Sequence, residues 1–121
     1  GISVSEGWFE IVKCLSDRIY SHYKHQIQTR ERLLKDNPYD HPIPEATEFP
    51  KVAQIKEKFG GLRFYIDGAD EYTYGAIAIA EMWADRTCEE CGAPGTRRHG
   101  GWVRTLCDTH EAEHQKRKQE M

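Results

Sequence analysis

Apolar residues near the start of the chain recur at steps of three and four, which is the spacing of one face of an α-helix. The members of this stripe are Trp8, Ile11, Val12, Leu15, Ile19 and Tyr23. They predict a helix from about Gly7 to about Lys35, with Ser5 capping its first turn. Cys14 lies beside Leu15 on the apolar side, so we predict that its thiol is buried.

Further along the chain, the pattern changes to alternating apolar and polar positions on either side of Gly60 and Gly61. Because glycine adopts positive φ without steric cost, two adjacent glycines predict the turn of a β-hairpin. The side chains predicted to pack on the first helix are Leu62, Phe64 and Ile66. Arg63 and Tyr65 lie on the opposite face, where they are candidate contacts for a partner protein.

A second apolar stretch predicts a helix from about Glu71 to about Arg86, with Asp70 as its cap. Its apolar stripe consists of Tyr72, Ala76, Ile79, Ala80 and Trp83. The run AIAIAEMWA within it is too short to span a bilayer. We therefore predict that this is the most buried helix of the fold, and we expect no membrane among the partners of the protein.

The segment between the first helix and the hairpin, Asn37–Pro50, contains four of the five prolines. Proline fixes φ and lacks an N–H donor, so this segment is predicted to be an extended loop. Two interpretations stay open at this point. The loop is either a simple connector or an arm that contacts a partner through Tyr39 and Phe49.

Candidate chemistry is concentrated near the end of the chain, where Cys88-x2-Cys91 and Cys107-x2-His110 flank fifteen residues. Two such pairs supply four ligands to one ion, and three thiolates with an imidazole favour tetrahedral Zn2+ over Mg2+ or Ca2+. Reduced free cysteines and a disulfide are the alternatives. His114 lies one helical turn beyond His110 and could replace it as the fourth ligand.

The order of the ligands predicts a treble clef or zinc ribbon, with a knuckle at the first pair, a hairpin over Arg97–Arg98 and Trp102–Leu106, and a helix from Asp108. The predicted fold class is therefore α+β: a long helix, a hairpin, a second helix and this C-terminal module. With 121 residues we expect one domain. Residues 1–86 would form the helix-hairpin-helix body and residues 87–121 the zinc module.

Four protein ligands leave no position for a reacting water, so the predicted zinc is structural and we expect no enzymatic activity. The stretch TLCDTHEAEHQKRK is similar to the last ligand pair and helix of HNH-type nucleases. That resemblance implies a catalytic Asp-His or His-His pair and an asparagine between the ligand pairs. The fifteen residues found there contain one histidine, no carboxylate and no asparagine, so we predict a degenerate site without nuclease activity.

The formal net charge is −3, with 17 basic and 20 acidic residues, a balance that disfavours general adhesion to nucleic acids or membranes. The C-terminal part is locally basic, and the candidate nucleic-acid contacts there are Arg97, Arg98, Arg104, Lys116, Arg117 and Lys118. Acidic residues are interleaved with them, so no clean cationic face is predicted. No signal-peptide pattern opens the chain, and a reducing cytoplasm is expected, although the abrupt start GISVSEGWF suggests that natural residues precede it.

The blocks KEKFGGLRFY and CEECGAPG, followed by GGWVRTLCDTH, resemble a family of small uncharacterised proteins common in phage and prophage genomes. The resemblance extends from Gly7 to about His110, although the loop Asn37–Pro50 is longer than the family pattern. It implies a viral or mobile-element setting inside a bacterial cell. It implies no catalytic residues.

These observations predict a non-enzymatic zinc-binding protein that binds a host bacterial protein, for example to inhibit a defence complex or to modulate transcription. The candidate contacts for such a partner are Tyr39, Phe49, Arg63, Tyr65 and Trp102. The alternative hypothesis is a zinc-ribbon protein that binds nucleic acid. A third hypothesis is a homo-oligomer, because the first helix is long enough to pair with itself.

Overall fold

The computed structural model describes residues 2–120 and has the predicted α+β fold, with one short strand before the first helix that was not predicted. These elements are β1 (Ile2–Ser3), a 3-10 turn (Glu6–Trp8), α1 (Phe9–Lys35), β2 (Lys51–Lys58), β3 (Gly61–Asp67), α2 (Glu71–Ala84), β4 (Thr96–Arg98), β5 (Arg104–Leu106) and α3 (Asp108–Glu120). One sheet has the order β1-β2-β3, with β1 parallel to β2 and β2 antiparallel to β3. A second, two-stranded sheet pairs β4 with β5 antiparallel.

The first helix is long, as predicted, and the 3-10 turn leads directly into α1. All the residues of the predicted apolar stripe are buried. Ser5 is extended before the turn, but within the described chain its side chain caps no backbone N–H. Cys14 is exposed, contrary to the prediction, because it is turned about 100° around the helix from Leu15 and lies beside the Glu10 carboxylate.

The β2–β3 hairpin forms as predicted, but its turn lies one residue earlier in the chain. Lys58 pairs with Gly61, so the turn residues are Phe59 and Gly60, with φ of 53° and 77°. Gly61 is therefore the first residue of β3. The predicted inner face is buried and shares one core with the apolar stripe of α1, and it consists of Leu62, Phe64 and Ile66.

α2 turns a different face to the core from the one predicted. Asp70 caps it as expected, because its carboxylate accepts a hydrogen bond from the Thr73 amide at 2.9 Å. The buried face consists of Thr73, Ile77, Ala80 and Ala84. The predicted stripe residues Tyr72, Ile79 and Trp83 are exposed instead. α2 is apolar on almost every side, so its periodicity defines no single face, and the alanines of the buried face allow the closer approach to α1.

The start of α1 is fastened to the segment that carries the first cysteine pair. The Gly7 amide donates to the Glu89 carbonyl at 2.9 Å, and the buried Trp8 indole donates to the Thr87 carbonyl at 2.9 Å. A Cβ atom at Gly7 would lie 2.1 Å from the Cys88 carbonyl oxygen, so only glycine allows this approach. The helical body and the C-terminal module are therefore in direct backbone contact.

Candidate metal centre

The predicted ligands come from two separate parts of the chain that converge on one point. Cys88 and Cys91 occupy a knuckle after α2, and Cys107 and His110 lie at the start of α3. The knuckle is closed by the Gly92 amide, which donates to the Cys88 carbonyl at 2.9 Å. Gly92 has a φ of 83°, a conformation that glycine adopts without strain.

The ligand atoms of these four residues all lie within 4.8 Å of one another. The Cys91 and Cys107 sulfurs are 3.8 Å apart, and His110 Nδ1 lies 3.6 Å from Cys88 Sγ and 3.2 Å from Cys107 Sγ. Tetrahedral Zn2+ with ordinary bond lengths would separate two sulfurs by about 3.8 Å, and a sulfur from a nitrogen by about 3.6 Å. The cluster therefore has the dimensions of a four-coordinate site and could hold a metal ion.

The sulfur distances distinguish the cluster from a disulfide. A disulfide bond is about 2.05 Å long. The Cys91 and Cys107 sulfurs are separated by 3.8 Å, and the four cysteines are free thiols in this structure. Cys91 and Cys107 therefore do not form a disulfide in this structure.

The surroundings of Cys107 favour its thiolate form. The His110 amide donates to Cys107 Sγ at 3.4 Å, and this bond, with that of the His110 ring, lowers the pKa of the Cys107 thiol to about 7. The same thiol raises the pKa of His110. A thiolate is the form of cysteine that binds a metal, so Cys107 is ready to act as a ligand near neutral pH.

The geometry assigns His110, and not His114, to the cluster. His110 directs Nδ1 at the cysteine sulfurs, while its Nε2 lies 3.5 Å from Glu90 Oε2. His114 lies outside the group and contacts Glu90 Oε1 through its own Nε2 at 2.9 Å. Burial would raise the pKa of Glu90, but the hydrogen bond with His114 and the charges of His114, Arg104 and His110 together outweigh it and lower that pKa. Glu90, in the knuckle, thus contacts the imidazole rings of both His110 and His114 in α3.

Sequence reasoning missed the buried carboxylate that lies next to the first ligand. Glu89 is buried, and its two oxygens accept from Arg104 Nε and from the Thr105 amide, each at 3.1 Å. In the sequence Glu89 is one of two adjacent glutamates between Cys88 and Cys91, and neither composition nor spacing indicates that it is buried. The ion pair connects the knuckle to β5.

The candidate partner contacts are spread over the surface and do not form one group. Tyr39 is exposed in the loop after α1, and Phe49 stacks on Tyr20 of α1 with ring centroids 5.3 Å apart. Tyr65 lies on the outer face of β3 beneath the Lys56 ammonium. The predicted Trp102 strand position is wrong, because β5 begins at Arg104 and Trp102 projects from the β4–β5 loop.

Most of the candidate nucleic-acid contacts are engaged with groups of this chain. Arg97 pairs with Asp85, Arg98 with Asp108, Arg104 with Glu89 and Glu90, and Arg117 with Glu113. The Lys118 ammonium donates to the Gly100 carbonyl at 2.9 Å. Lys116 is exposed on α3. Most of these basic residues therefore form ion pairs or hydrogen bonds within the chain.

The fold and the cluster together define a small α+β protein with a Cys3His site that could hold a metal ion. No protein-family model matches the chain, and no curated protein or solved structure shows significant similarity to it. Among residues 2–120, no helix combines the length and the apolar character that crossing a bilayer requires.

Proposed function

We propose that this chain is a non-enzymatic protein-binding protein in which Zn2+ is a structural ion. The donor set supports the structural role, because three cysteines and one histidine fill a tetrahedral site without a position for substrate. The ion would join the knuckle to the start of α3 and so hold the β4–β5 hairpin between them. Binding to another protein would be performed by residues outside the ligand set.

The observation that carries the proposal is an aromatic cleft between the two hairpins of the molecule. Phe59 of the β2–β3 turn is 67% exposed, and Trp102 of the β4–β5 loop is 77% exposed. Both line one cavity of about 340 Å³, together with Glu57, Gly101 and Val103. Large aromatic side chains at the edge of a cavity are frequent anchors of protein interfaces.

The position of Phe59 is imposed by contacts of the neighbouring turn residue. The Thr105 hydroxyl donates to the Gly60 carbonyl at 2.7 Å, and a Cβ atom at Gly60 would lie 3.1 Å from the Arg104 backbone. This packing holds Phe59 at a φ of 53°, which is unfavourable for a bulky residue. The fold thus maintains a strained backbone that directs an aromatic ring into solvent.

The position of Trp102 depends on the metal module. Trp102 lies between the two ligand pairs in sequence, in the loop that β4 and β5 support. The metal would limit the movement of this hairpin by joining both of its ends. Metal binding and partner binding would therefore be coupled, because an ion-free module would no longer hold Trp102 beside Phe59.

We favour a protein partner over nucleic acid because the arginines of the module are already paired with carboxylates. The net charge of −3 also opposes the approach of a polyanion. The resemblance to phage and prophage proteins leads us to propose a host bacterial protein in the cytoplasm as the partner. Inhibition of a defence complex and modulation of transcription are the roles that we propose to test first.

The test is affinity capture from bacterial lysate with the wild-type chain and three variants, followed by mass spectrometry. Trp102→Ser and Phe59→Ser should each lose the same captured protein, whereas Tyr39→Ser removes an equally exposed aromatic ring far from the cleft and should retain it. Chelation of the metal should also abolish capture. If all three variants retained the captured protein, the cleft would not be its binding site. Retention of nucleic acid with a steep salt dependence would favour the alternative function.

A further inference from the structure

α2 carries an apolar band that faces away from the core. The band consists of Tyr72, Gly75, Ile79, Met82 and Trp83. Ile79 is 64% exposed, Met82 57% and Trp83 45%. Helices of a small domain normally bury such a stripe, so this surface is a candidate interface.

Part of α1 extends the band into a groove. The opposite wall is formed by Ile11, Cys14, Leu15 and Arg18 of α1, and the space between the two helices is about 550 Å³. Within residues 2–120 no segment covers it, since Ile79, Trp83 and Cys14 are all exposed. A helix from another molecule would fit along this groove.

We propose that the occupant is a second copy of this chain, with the two α2 helices antiparallel across a two-fold axis at Ile79. Gly75 and Trp83 lie four residues on either side of Ile79, which is about 6 Å along the helix in each direction. If the two helices cross at about −50°, the row of residues 75, 79 and 83 of one α2 lies along the same row of the other. A two-fold axis at Ile79 then brings Trp83 of each protomer opposite Gly75 of its partner. A Cβ atom at Gly75 would meet nothing within 4 Å, so the helix has a notch there that could accept the indole.

The charges at the two ends of α2 are complementary in the same arrangement. Glu71 begins the helix and Arg86 follows its end, and neither forms an ion pair with any of residues 2–120. Measured from Ile79, they lie eight residues and seven residues away in opposite directions. The antiparallel pairing therefore places the start of one α2, with Glu71, against the end of the other, which Arg86 follows. It also opposes the two helix dipoles, which is favourable.

A second copy explains these features better than an unrelated protein does. An interface with two-fold symmetry must present each knob and its matching notch on the same surface, at equal distances from the axis. Gly75 and Trp83 meet this condition for shape, and Glu71 and Arg86, at nearly equal distances from Ile79, meet it for charge. The aromatic cleft of Phe59 and Trp102 lies on other elements, so the dimer does not depend on the proposed function.

Sedimentation velocity over a range of concentrations tests the proposal directly. The wild-type chain, loaded with Zn2+, should form dimers in a concentration-dependent manner. Ile79→Glu should weaken the dimer by at least about tenfold, because it buries two carboxylates at the axis. Ala78→Glu adds the same charge about 100° further around α2 and should have a much smaller effect. Trp102→Ser should leave the association unchanged.

Charge reversal separates this pairing from any other use of the band. Glu71→Arg and Arg86→Glu should each weaken self-association, because each places like charges together twice in a symmetric dimer. An equimolar mixture of the two variants should restore dimers, since every facing pair in the mixed dimer is again of opposite sign. A wild-type chain that stays monomeric at its highest soluble concentration would overturn the proposal, as would a mixture that associates no better than either variant alone. The proposal would also be overturned if a different protein, and not a second copy of this chain, bound to the α2 band.

Discussion

At the scale of single residues, Glu89 connects the knuckle both to β5 and to the start of α1. Its carboxylate is 6% exposed and bonds both Arg104 and the Thr105 amide, while its carbonyl accepts from the Gly7 amide. A buried ion pair gives little net stability, since desolvation offsets much of the Coulomb attraction. Removal of one partner is costly, however, because the other charge is then buried alone.

We therefore predict that Glu89→Ala lowers the free energy of unfolding by about 3–5 kcal/mol. Urea denaturation of the zinc-loaded protein measures the change. Glu113→Ala removes an exposed carboxylate from the same module and should change stability by no more than about 0.5 kcal/mol. Equal effects of the two substitutions would show that the Glu89 ion pair has no structural role.

Asp70 provides a second prediction at this scale, which concerns pH. Burial would raise the pKa of Asp70, but hydrogen bonds from His22 and Thr73 outweigh it and lower that pKa well below its usual range. A carboxyl group with a lower pKa in the folded state stabilises the fold above its unfolded pKa, and this contribution is lost as the pH falls below about 4. The His22–Asp70 contact joins α1 to the start of α2.

The melting temperature of Asp70→Ala should therefore lie below that of the wild type at pH 7, since a helix cap alone contributes about 1 kcal/mol. The difference should shrink steadily as the pH is lowered below about 4. Asp67→Ala, which removes an exposed carboxylate at the end of β3, serves as the control. A difference between wild type and Asp70→Ala that is constant from pH 7 to pH 3 would contradict the assigned pKa direction.

At the scale of elements, the contact between the start of α1 and the knuckle decides how the two halves of the molecule are joined. The Gly7 backbone lies against the Cys88 and Glu89 backbone, where there is no room for a side chain. Neither neighbour is the flexible end of a side chain, so the clash can be relieved only by moving a whole element. The contact between the start of α1 and the knuckle thus requires glycine at position 7.

Gly7→Ala should destabilise the protein by about 1–3 kcal/mol or more, as overpacking usually does, and should also weaken metal binding. Thermal denaturation and competition with a zinc chelator measure the two effects. Gly100→Ala is the matched control, because a Cβ atom there would meet nothing within 4 Å. If Gly7→Ala behaved like the control, the start of α1 would not be docked on the knuckle in solution.

At the scale of the whole molecule, the metal site would determine whether the C-terminal module is ordered. Residues 87–114 contain two short strands and the knuckle, and α3 has no buried side chain of its own. Such a segment buries too little apolar surface to offset the conformational entropy of ordering it. A structural ion supplies that missing free energy.

We predict that the wild-type protein contains one zinc ion per chain and that Cys107→Ser loses it. Elemental analysis gives the metal content, and hydrogen exchange should show lost protection over residues 87–114 while α1 and the β2–β3 hairpin remain protected. Cys14→Ser removes an exposed thiol outside the cluster and should keep the ion. Unchanged metal content in Cys107→Ser would refute the structural site.

Much of this architecture is predictable from local patterns in the chain. The 3.6-residue period of α1, the alternation of β2 and β3 and the spacing of the two ligand pairs each depend on neighbours in sequence, and the structure confirms these elements. The turn at Phe59 and Gly60 is different, because its position depends on contact with Arg104 and Thr105, which are distant in sequence. A glycine pair alone predicts the wrong register by one residue.

By itself, the sequence determined the order of the elements and which residues could bind a metal, since helix periods and ligand spacings are local properties of a chain. Only the tertiary structure decided which face of α2 is buried, that Cys14 is exposed, and that Glu89 is held inside by Arg104. The physical reason is the same in each case. A helix that is apolar all round, or a charge that can find a buried partner, has more than one acceptable local environment, and packing against distant residues selects among them.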